Sequence, residues 1–263
     1  MRFAGKSAAM KKLIFLCLIT GSVFTAFGWG ATGHRAVGYI ADQHLTKKTR
    51  LALERILQGQ PLAMTGTWMD DIKSDSLYDH THDWHWVTVQ SGETYDQSVK
   101  NPKGDLIMTL ERLITELKSK KLDAKQEAEH IKMIVHLIGD IHQPLHVGFG
   151  NDQGGNQVKV TWFGSNSNLH RVWDSDMIDG SKLSFTELAN ALPKADAVRI
   201  KKLQRATIRD MAAEAMSYRT QIYAYGDGKL GYEYNYKNFN TVLDQISKAG
   251  IRLAGILNDI YGK

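Results

Sequence analysis

Apolar residues recur at helical spacing along most of the chain. Three stripes have apolar positions three or four residues apart, which is typical of helices with one buried face. Strand-like alternation is confined to residues 86–89 and 158–162, which predicts short strands or a hairpin, and residues 148–156 form a Gly/Asn/Asp-rich loop. We therefore expect a mainly α, single compact domain with a short β-hairpin and long loops. The stripes comprise Val37, Ile40, Ala41 and Leu45; Leu106, Leu110, Leu113 and Leu117; and Ile246, Ala249, Leu253, Ile256 and Leu257.

The segment 136–146 interrupts this apolar pattern with His-Leu-Ile-Gly-Asp-Ile-His-Gln-Pro-Leu-His. His136 and Asp140 are four residues apart, so on a helix they share a face and can bind one cation. Since Pro144 limits the helix, we expect His146 to come from the helix end or from a kink. Imidazole and carboxylate are zinc ligands. A single His/Asp pair is also consistent with a helix whose polar residues are merely hydrogen-bonded. Whether the pair binds metal therefore depends on whether other ligand-type residues accompany it.

The first 28 residues form a separate segment. They combine a basic start, an apolar run from Leu13 to Phe27 and small residues at the end, which is typical of a secretory signal peptide. The run is short for a membrane span. Cleavage before Trp29 would release residues 29–263 as one domain without a membrane anchor, secreted or periplasmic. The only cysteine, Cys17, lies in the signal, so the mature chain would have no disulfide.

Removal of this segment changes the charge balance. The whole chain has 33 basic and 28 acidic residues, and the first 28 positions hold four of the basic ones and no acid. The mature chain is therefore close to neutral, and its overall charge gives no argument for nucleic-acid binding. Any affinity for phosphate must come from a local site.

Further groups of metal-ligand type occur elsewhere. After cleavage, the amine and carbonyl of Trp29 could chelate a metal, with His34 completing the site; alternatively, Trp29 is an apolar plug and His34 an ordinary helix residue. Asp70 belongs to a pair of adjacent acidic residues, and His85 directly precedes a strand-like segment. Residues 170–174 repeat the His-x-x-x-Asp spacing. Two such pairs and a third histidine after a proline are hard to assign to packing. The remaining histidines are assigned to structural or surface positions: His44, His80, His82, His130 and His142.

Together these motifs resemble the S1/P1-type family of zinc-dependent single-strand nucleases and 3′-nucleotidases. The resemblance extends to Ala213-Glu214 and to residues 250–258 near the end of the chain, and thus covers essentially the whole mature protein. It implies a mostly helical domain that binds three zinc ions. The nine positions of ligand type are Trp29, His34, Asp70, His85, His136, Asp140, His146, His170 and Asp174.

The resemblance also distributes these ligands among the three ions. The first ion would be held by Asp70, His85, His136 and Asp140. The second would be held by Trp29, His34 and a shared Asp140. The third, more open site would consist of His146, His170 and Asp174. Each set offers the nitrogen and oxygen donors that zinc prefers and leaves positions for water or substrate.

The implied reaction is metal-assisted hydrolysis of a phosphodiester, with a 5′-phosphate left on the product. The resemblance gives catalytic roles to Asp70, Asp140 and Lys73, with Lys73 touching the phosphate; alternatively, Lys73 is a surface lysine at a helix end. Trp86 corresponds to an aromatic residue that stacks on an unpaired base, although a core tryptophan is equally consistent with the sequence.

The chain departs from the fungal pattern at two positions. Thr88 replaces an acidic residue and Ser175 replaces an amide, which leaves the base preference open. The expected substrates are single-stranded DNA and RNA and 3′-nucleotides, and we expect a monomer.

Two other classes remain open. A related zinc phospholipase C also begins with a ligating tryptophan, but it places its first histidine further from the terminus and ends its third site with Glu. The short gap from Trp29 to His34 and the carboxylate of Asp174 favour the nuclease. A non-enzymatic metal-binding protein is disfavoured by the open third site.

Overall fold

Helices account for most of the chain described by the computed structural model, which covers residues 29–263; the predicted export signal lies outside the described residues. The mainly α expectation is confirmed. The helices are α1 Ala31–Gln43, α2 Lys47–Ile56, α3 Leu62–Thr65, α4 Trp68–Asp71, α5 Leu106–Ser119, α6 Ala124–His142, α7 Leu169–Arg171, α8 Met177–Gly180, α9 Phe185–Ala191, α10 Ala197–Gln204, α11 Ile208–Ser217, α12 Arg219–Ile222 and α13 Tyr232–Tyr261, with 3₁₀ turns at Ile72–Ser74, Ser76–His85 and Pro144–His146 and a π-helical turn at Val172–Asp176.

Helix α6 runs through the centre of the fold. A reciprocal capping box starts it, in which the Asp123 side chain accepts from the Gln126 amide and the Gln126 side chain accepts from the Asp123 amide. Gln143 is extended ahead of Pro144, so the helix ends at His142 and a 3₁₀ turn follows. Residues 133–148 are all buried. The polar residues in this stretch therefore lie in the interior, where each needs a partner.

The other long helices enclose α6. Helices α1, α5, α11 and α13 all pack against it, and α13 also packs along α1. The three predicted stripes lie on α1, α5 and α13 and contribute to one hydrophobic core, except that Leu45 follows the end of α1 and, like Ile256, is only partly buried. Within residues 29–263, no helix is long and apolar enough to span a bilayer.

The β structure is small and differs in its pairing from a simple hairpin. The strands are β1 Val87–Thr88, β2 Val147–Gly148, β3 Lys159–Trp162, β4 Ser165–Asn168 and β5 Lys229–Leu230. The two segments predicted as strands are both extended but do not pair with each other. Strand β1 pairs in parallel with β2, while β3 forms an antiparallel hairpin with β4 and a parallel pair with β5. The β1–β2 pair is what positions the segment after His85 beside the segment after His146.

Candidate metal centre

Asp140 is the most central residue of a cluster of imidazoles and carboxylates. Its Oδ2 lies 3.0 Å from Nδ1 of His85 and 3.3 Å from Nε2 of His136, and its Oδ1 lies 3.3 Å from Nε2 of His34. Asp140, His34 and His136 have no exposed surface. The two oxygens of one carboxylate thus face two different groups of ligand atoms.

Asp70 lies at the edge of this cluster, on α4. Its Oδ1 is 3.7 Å from Nε2 of His136 and accepts a hydrogen bond of 2.6 Å from Nζ of Lys73. One ligand atom from each of Asp70, His85 and His136 lies within 4.8 Å of the others, and the same holds for His34, His136 and Asp140. The predicted positions from residues 34 to 140 therefore meet at one place, and Lys73 lies beside them.

A further group forms next to the first one. Nε2 of His170 lies 3.0 Å from Oδ2 of Asp174, and Nε2 of His146 lies 3.8 Å from Oδ1. These three residues also offer ligand atoms within 4.8 Å of one another. Asp174 belongs to the π-helical turn, and π turns interrupt helices frequently at functional sites. Gln143 donates from Nε2 to Asp174 Oδ1 and so ties this carboxylate to the end of α6.

Backbone carbonyls fix the orientation of three of the imidazoles. Nδ1–H of His136 donates to the Gly66 carbonyl at 2.7 Å, Nδ1–H of His146 to the His85 carbonyl at 2.6 Å, and Nδ1–H of His170 to the Gly154 carbonyl at 2.6 Å. Since Nδ1 carries the proton, Nε2 presents its lone pair to the cluster when the ring is neutral. This arrangement is typical of metal-binding histidines.

Several buried polar atoms of the cluster have no hydrogen-bond partner. They belong to residues that the sequence assigned to metal binding, and an unpaired polar atom in the interior is costly unless something else satisfies it. A bound cation would do so, and the donor set of imidazole nitrogens and carboxylate oxygens fits zinc. The atoms are His34 Nδ1 and Nε2, His85 Nε2, Asp140 Oδ1 and His170 Nε2.

Charge interactions keep the central carboxylate ionised. Burial favours the neutral form of Asp140, but His136 and His146 outweigh it and hold its pKa well below its ordinary value. Burial lowers the pKa of His85 to about 4 and also lowers the pKa of His34. Burial opposes protonation of His146 too, yet Asp140 and Asp174 raise its pKa to about 9. The cluster thus holds ionised carboxylates close to imidazoles with very different proton affinities.

An open cavity adjoins the second group. Its volume is about 450 Å³, and its lining includes Trp86, Thr88, His146 and His170. Trp86 is 41% exposed, which excludes a core position for this tryptophan. Its indole therefore stands in a solvent-accessible cavity beside two candidate ligands.

Trp29 lies against the same region at the start of the described chain. Its side chain is fully buried, and the amide of Gly30 donates to the Asp174 carbonyl at 2.8 Å. A Cβ on Gly139 would be 3.6 Å from Cδ1 of Trp29, so the indole lies close to α6 between the positions of His136 and Asp140. The indole of Trp29 is therefore buried beside α6, while metal binding by the amine and carbonyl of this residue stays a prediction.

Comparison with known proteins decides among the classes left open by the sequence. A profile described as S1/P1 Nuclease matches residues 29–262. This chain belongs to the S1/P1 nuclease family. Endonuclease 3 of Arabidopsis thaliana is 30% identical, with 95% of this chain and 94% of that protein covered. Nuclease S1 of Aspergillus oryzae is 28% identical over 88% and 91%, and Nuclease P1 of Penicillium citrinum is 26% identical over 89% and 98%.

As an S1/P1 nuclease, the chain is assigned to the nucleic-acid hydrolases, and the resemblance inferred from its motifs is confirmed. The phospholipase and non-enzymatic alternatives lose their support. Several residues that shape this S1/P1 site were not singled out in the sequence. They are Gly66 and Gly154, which act through their carbonyls, together with Gln143 and Gly139. Only Gln143 could have been noticed in the sequence, because it lies between the end of a predicted helix and Pro144.

The histidines assigned to structural or surface positions stay outside the candidate centre of this S1/P1 nuclease. His142 is buried, donates from Nδ1 to the Ile138 carbonyl and accepts from Arg252, and His130 bonds to Glu116. His80 and His82 are exposed.

Proposed function

We propose that this chain is an exported zinc-dependent nuclease that cleaves single-stranded DNA and RNA to 5′-phosphate products and removes 3′-phosphate from 3′-nucleotides. The observation that carries the proposal is the position of Asp140, whose two oxygens face two separate groups of ligand atoms. A carboxylate that bridges two cations would place them side by side, which is the arrangement used for phosphodiester hydrolysis.

Three zinc ions would account for the ligand groups. We assign Asp70, His85, His136 and Asp140 to the first ion, Trp29, His34 and Asp140 to the second, and His146, His170 and Asp174 to the third. When bound, such ions lower the pKa of a coordinated water and neutralise the charge of the phosphate. They would also supply the local positive field that a nearly neutral mature chain lacks.

Two side chains of this site would act on the substrate directly. Lys73, held beside Asp70, would bind a phosphate oxygen and thereby position the scissile group. Trp86 would stack on a base in the adjoining cavity, which requires that base to be unpaired. The preference for single strands would thus follow from the indole rather than from base-specific hydrogen bonds.

Export is the proposed route to the mature enzyme. The S1/P1 match starts at residue 29, which is the first residue after the proposed cleavage point. We propose that the nuclease acts outside the inner membrane, in the periplasm or the medium, as a monomer.

The test is an assay of purified chain 29–263, loaded with zinc, on single-stranded DNA, RNA, duplex DNA, a 3′-mononucleotide and phosphatidylcholine. We expect cleavage of both single strands and release of phosphate from the mononucleotide, all lost on chelation and restored by zinc. Duplex DNA should react much more slowly and phosphatidylcholine not at all. Preferential hydrolysis of the lipid, or nuclease activity that chelation does not affect, would overturn the proposal.

Zinc binding is expected to displace protons. Without metal, His146 has a pKa of about 9 and is protonated at neutral pH, whereas a metal ligand must be neutral. Loading the metal-free chain at pH 7 should release at least one proton, and affinity at this site should fall about tenfold for each pH unit below 9. Calorimetry in two buffers of different ionisation enthalpy measures the number released, and a value of zero would contradict this expectation.

Gly139→Ala is expected to disturb the site of the second ion. A Cβ at position 139 would lie 2.5 Å from Nδ1 of His34, too close for the ring to keep its place. We expect the variant to bind one zinc ion fewer, with activity reduced at least about tenfold, and the overpacking to cost roughly 1–3 kcal/mol of stability. Gly180→Ala is the matched control, since a Cβ there meets no atom within 4 Å. Full metal content in Gly139→Ala would show that His34 is not a ligand.

A further inference from the structure

A second cleft lies along helix α6, on the N-terminal side of His136. Its volume is about 820 Å³. Lys132, which lines it, precedes His136 by four residues, and Ala128 precedes Lys132 by another four, so all three lie on one face of α6. One helical turn is about 5.4 Å, so the backbone of Lys132 lies about one turn from that of a proposed metal ligand. On its other side lies Trp68, two residues before Asp70.

Two of the three cations of this cleft are available to bind anions. Arg55, Lys125 and Lys132 line it, and within residues 29–263 neither Arg55 nor Lys132 forms an ion pair with a carboxylate. The two acidic side chains in the lining, Glu127 and Glu129, already accept hydrogen bonds from tyrosine hydroxyls, at 2.9 Å and 2.8 Å respectively. Glu129 also lies 3.8 Å from Nζ of Lys125. The lining thus has three cations against two carboxylates, and within the described chain Arg55 and Lys132 are the two cations without a carboxylate partner.

The aromatic side chains of the cleft are arranged with these cations. Trp68 and Tyr78 are partly buried and meet edge to face with 5.4 Å between ring centroids. Nζ of Lys132 lies 5.3 Å from the Trp68 ring. Unpaired cations interleaved with aromatic rings are the combination that binds the backbone and bases of a single strand.

We propose that this cleft is a binding site for single-stranded nucleic acid beyond the scissile phosphate, in which Arg55 and Lys132 contact phosphates and Trp68 contacts a base. It rests on the proposed nuclease function and extends it. The Trp86 cavity is lined by His146 and His170, whereas this cleft is lined by Lys132 and Trp68, which lie close in the chain to His136 and Asp70. One strand could therefore occupy both sites with its scissile phosphate between them. The enzyme would then favour long strands over short ones.

The double variant Arg55→Gln/Lys132→Gln tests this site with two substrates, a single strand of about twenty nucleotides and a dinucleotide. Loss of two phosphate contacts should raise KM for the long strand by roughly three- to tenfold. It should also reduce the slope of log kcat/KM against log salt by about 1.4, since each contact to a single strand contributes about 0.7. The kinetics of the dinucleotide should not change, because its single phosphate is the scissile one and it has no further phosphate for Arg55 or Lys132 to contact.

The matched control is Lys201→Gln/Arg205→Gln, which removes the same two residue types from exposed positions on or next to α10. It should leave both substrates unaffected. An unchanged KM and salt slope for the long strand would overturn the proposed cleft, as would an equal loss on both substrates or an equal loss in the control. Failure of the wild-type chain to cleave either substrate would instead overturn the nuclease function. Trp68→Phe, which keeps an aromatic ring, should retain most of the affinity for the long strand.

Discussion

Replacement of Asp140 by asparagine is expected to lower the zinc content of the mature chain from three ions to one. Both oxygens of Asp140 face ligand groups, at 3.0 Å from His85 and 3.3 Å from His34, so the two proposed adjacent ions would share this carboxylate. Asparagine keeps the shape but loses the charge. Loss of a residue that only hydrogen-bonds to a metal ligand lowers metal affinity or activity about 10–100-fold. Loss of a shared ligand should therefore lower the activity by more than a hundredfold. Metal analysis of the purified variant and single-strand hydrolysis measure both effects.

The ion assigned to His146, His170 and Asp174 should remain in this variant. Asp176→Asn is a suitable control, because its carboxylate is bonded to Ser167 and Arg171 rather than directed to the ligand groups, and it should keep three zinc ions. If Asp140→Asn loses only one ion, or none, the carboxylate of Asp140 does not bridge two ions.

Extension of the chain before Trp29 is expected to remove most of the activity. The proposed second ion needs the free amine of Trp29, and an amide cannot replace it as a donor. Burial of the indole leaves little room for the terminus to shift, and the adjacent Gly30 amide is bonded to Asp174. A chain with a single alanine added before Trp29 should contain two zinc ions and be at least about tenfold less active.

The control for this experiment is the same chain with its extra residues after Lys263, which is exposed and far along the sequence from any proposed ligand. That protein should behave as the unmodified one. Equal zinc content and equal activity for the forms extended at either end would remove Trp29 from the metal site.

The ligands that lie on helices could be predicted from the sequence, because their arrangement depends on local spacing. His136 and Asp140 share a face of α6 since they are one turn apart, and Pro144 ends the helix where expected, so that His146 follows in a separate turn. The pair His170 and Asp174 also has this spacing, although a π-helical turn provides it. Residues that act through side chains at regular intervals can be found by periodicity.

Other parts of the site depend on contacts that no residue pattern records. The carbonyls of Gly66 and Gly154 orient two imidazoles, but every residue has a carbonyl, and its direction follows from the fold. The parallel pairing of β1 with β2 joins segments 60 residues apart, as the register of Val87 with Val147 shows. The sequence was consistent with a hairpin formed by the two strand-like segments. Instead, β3 pairs with β4, which follows it after a tight turn.

We propose that nine groups from distant parts of the mature chain hold three zinc ions. Anomalous scattering at the zinc edge, measured on crystals of chain 29–263 purified with zinc, locates each bound ion. Three peaks are expected: one among Asp70, His85, His136 and Asp140, one between Trp29, His34 and Asp140, and one among His146, His170 and Asp174. Fewer than three peaks, or peaks located away from these residues, would contradict it.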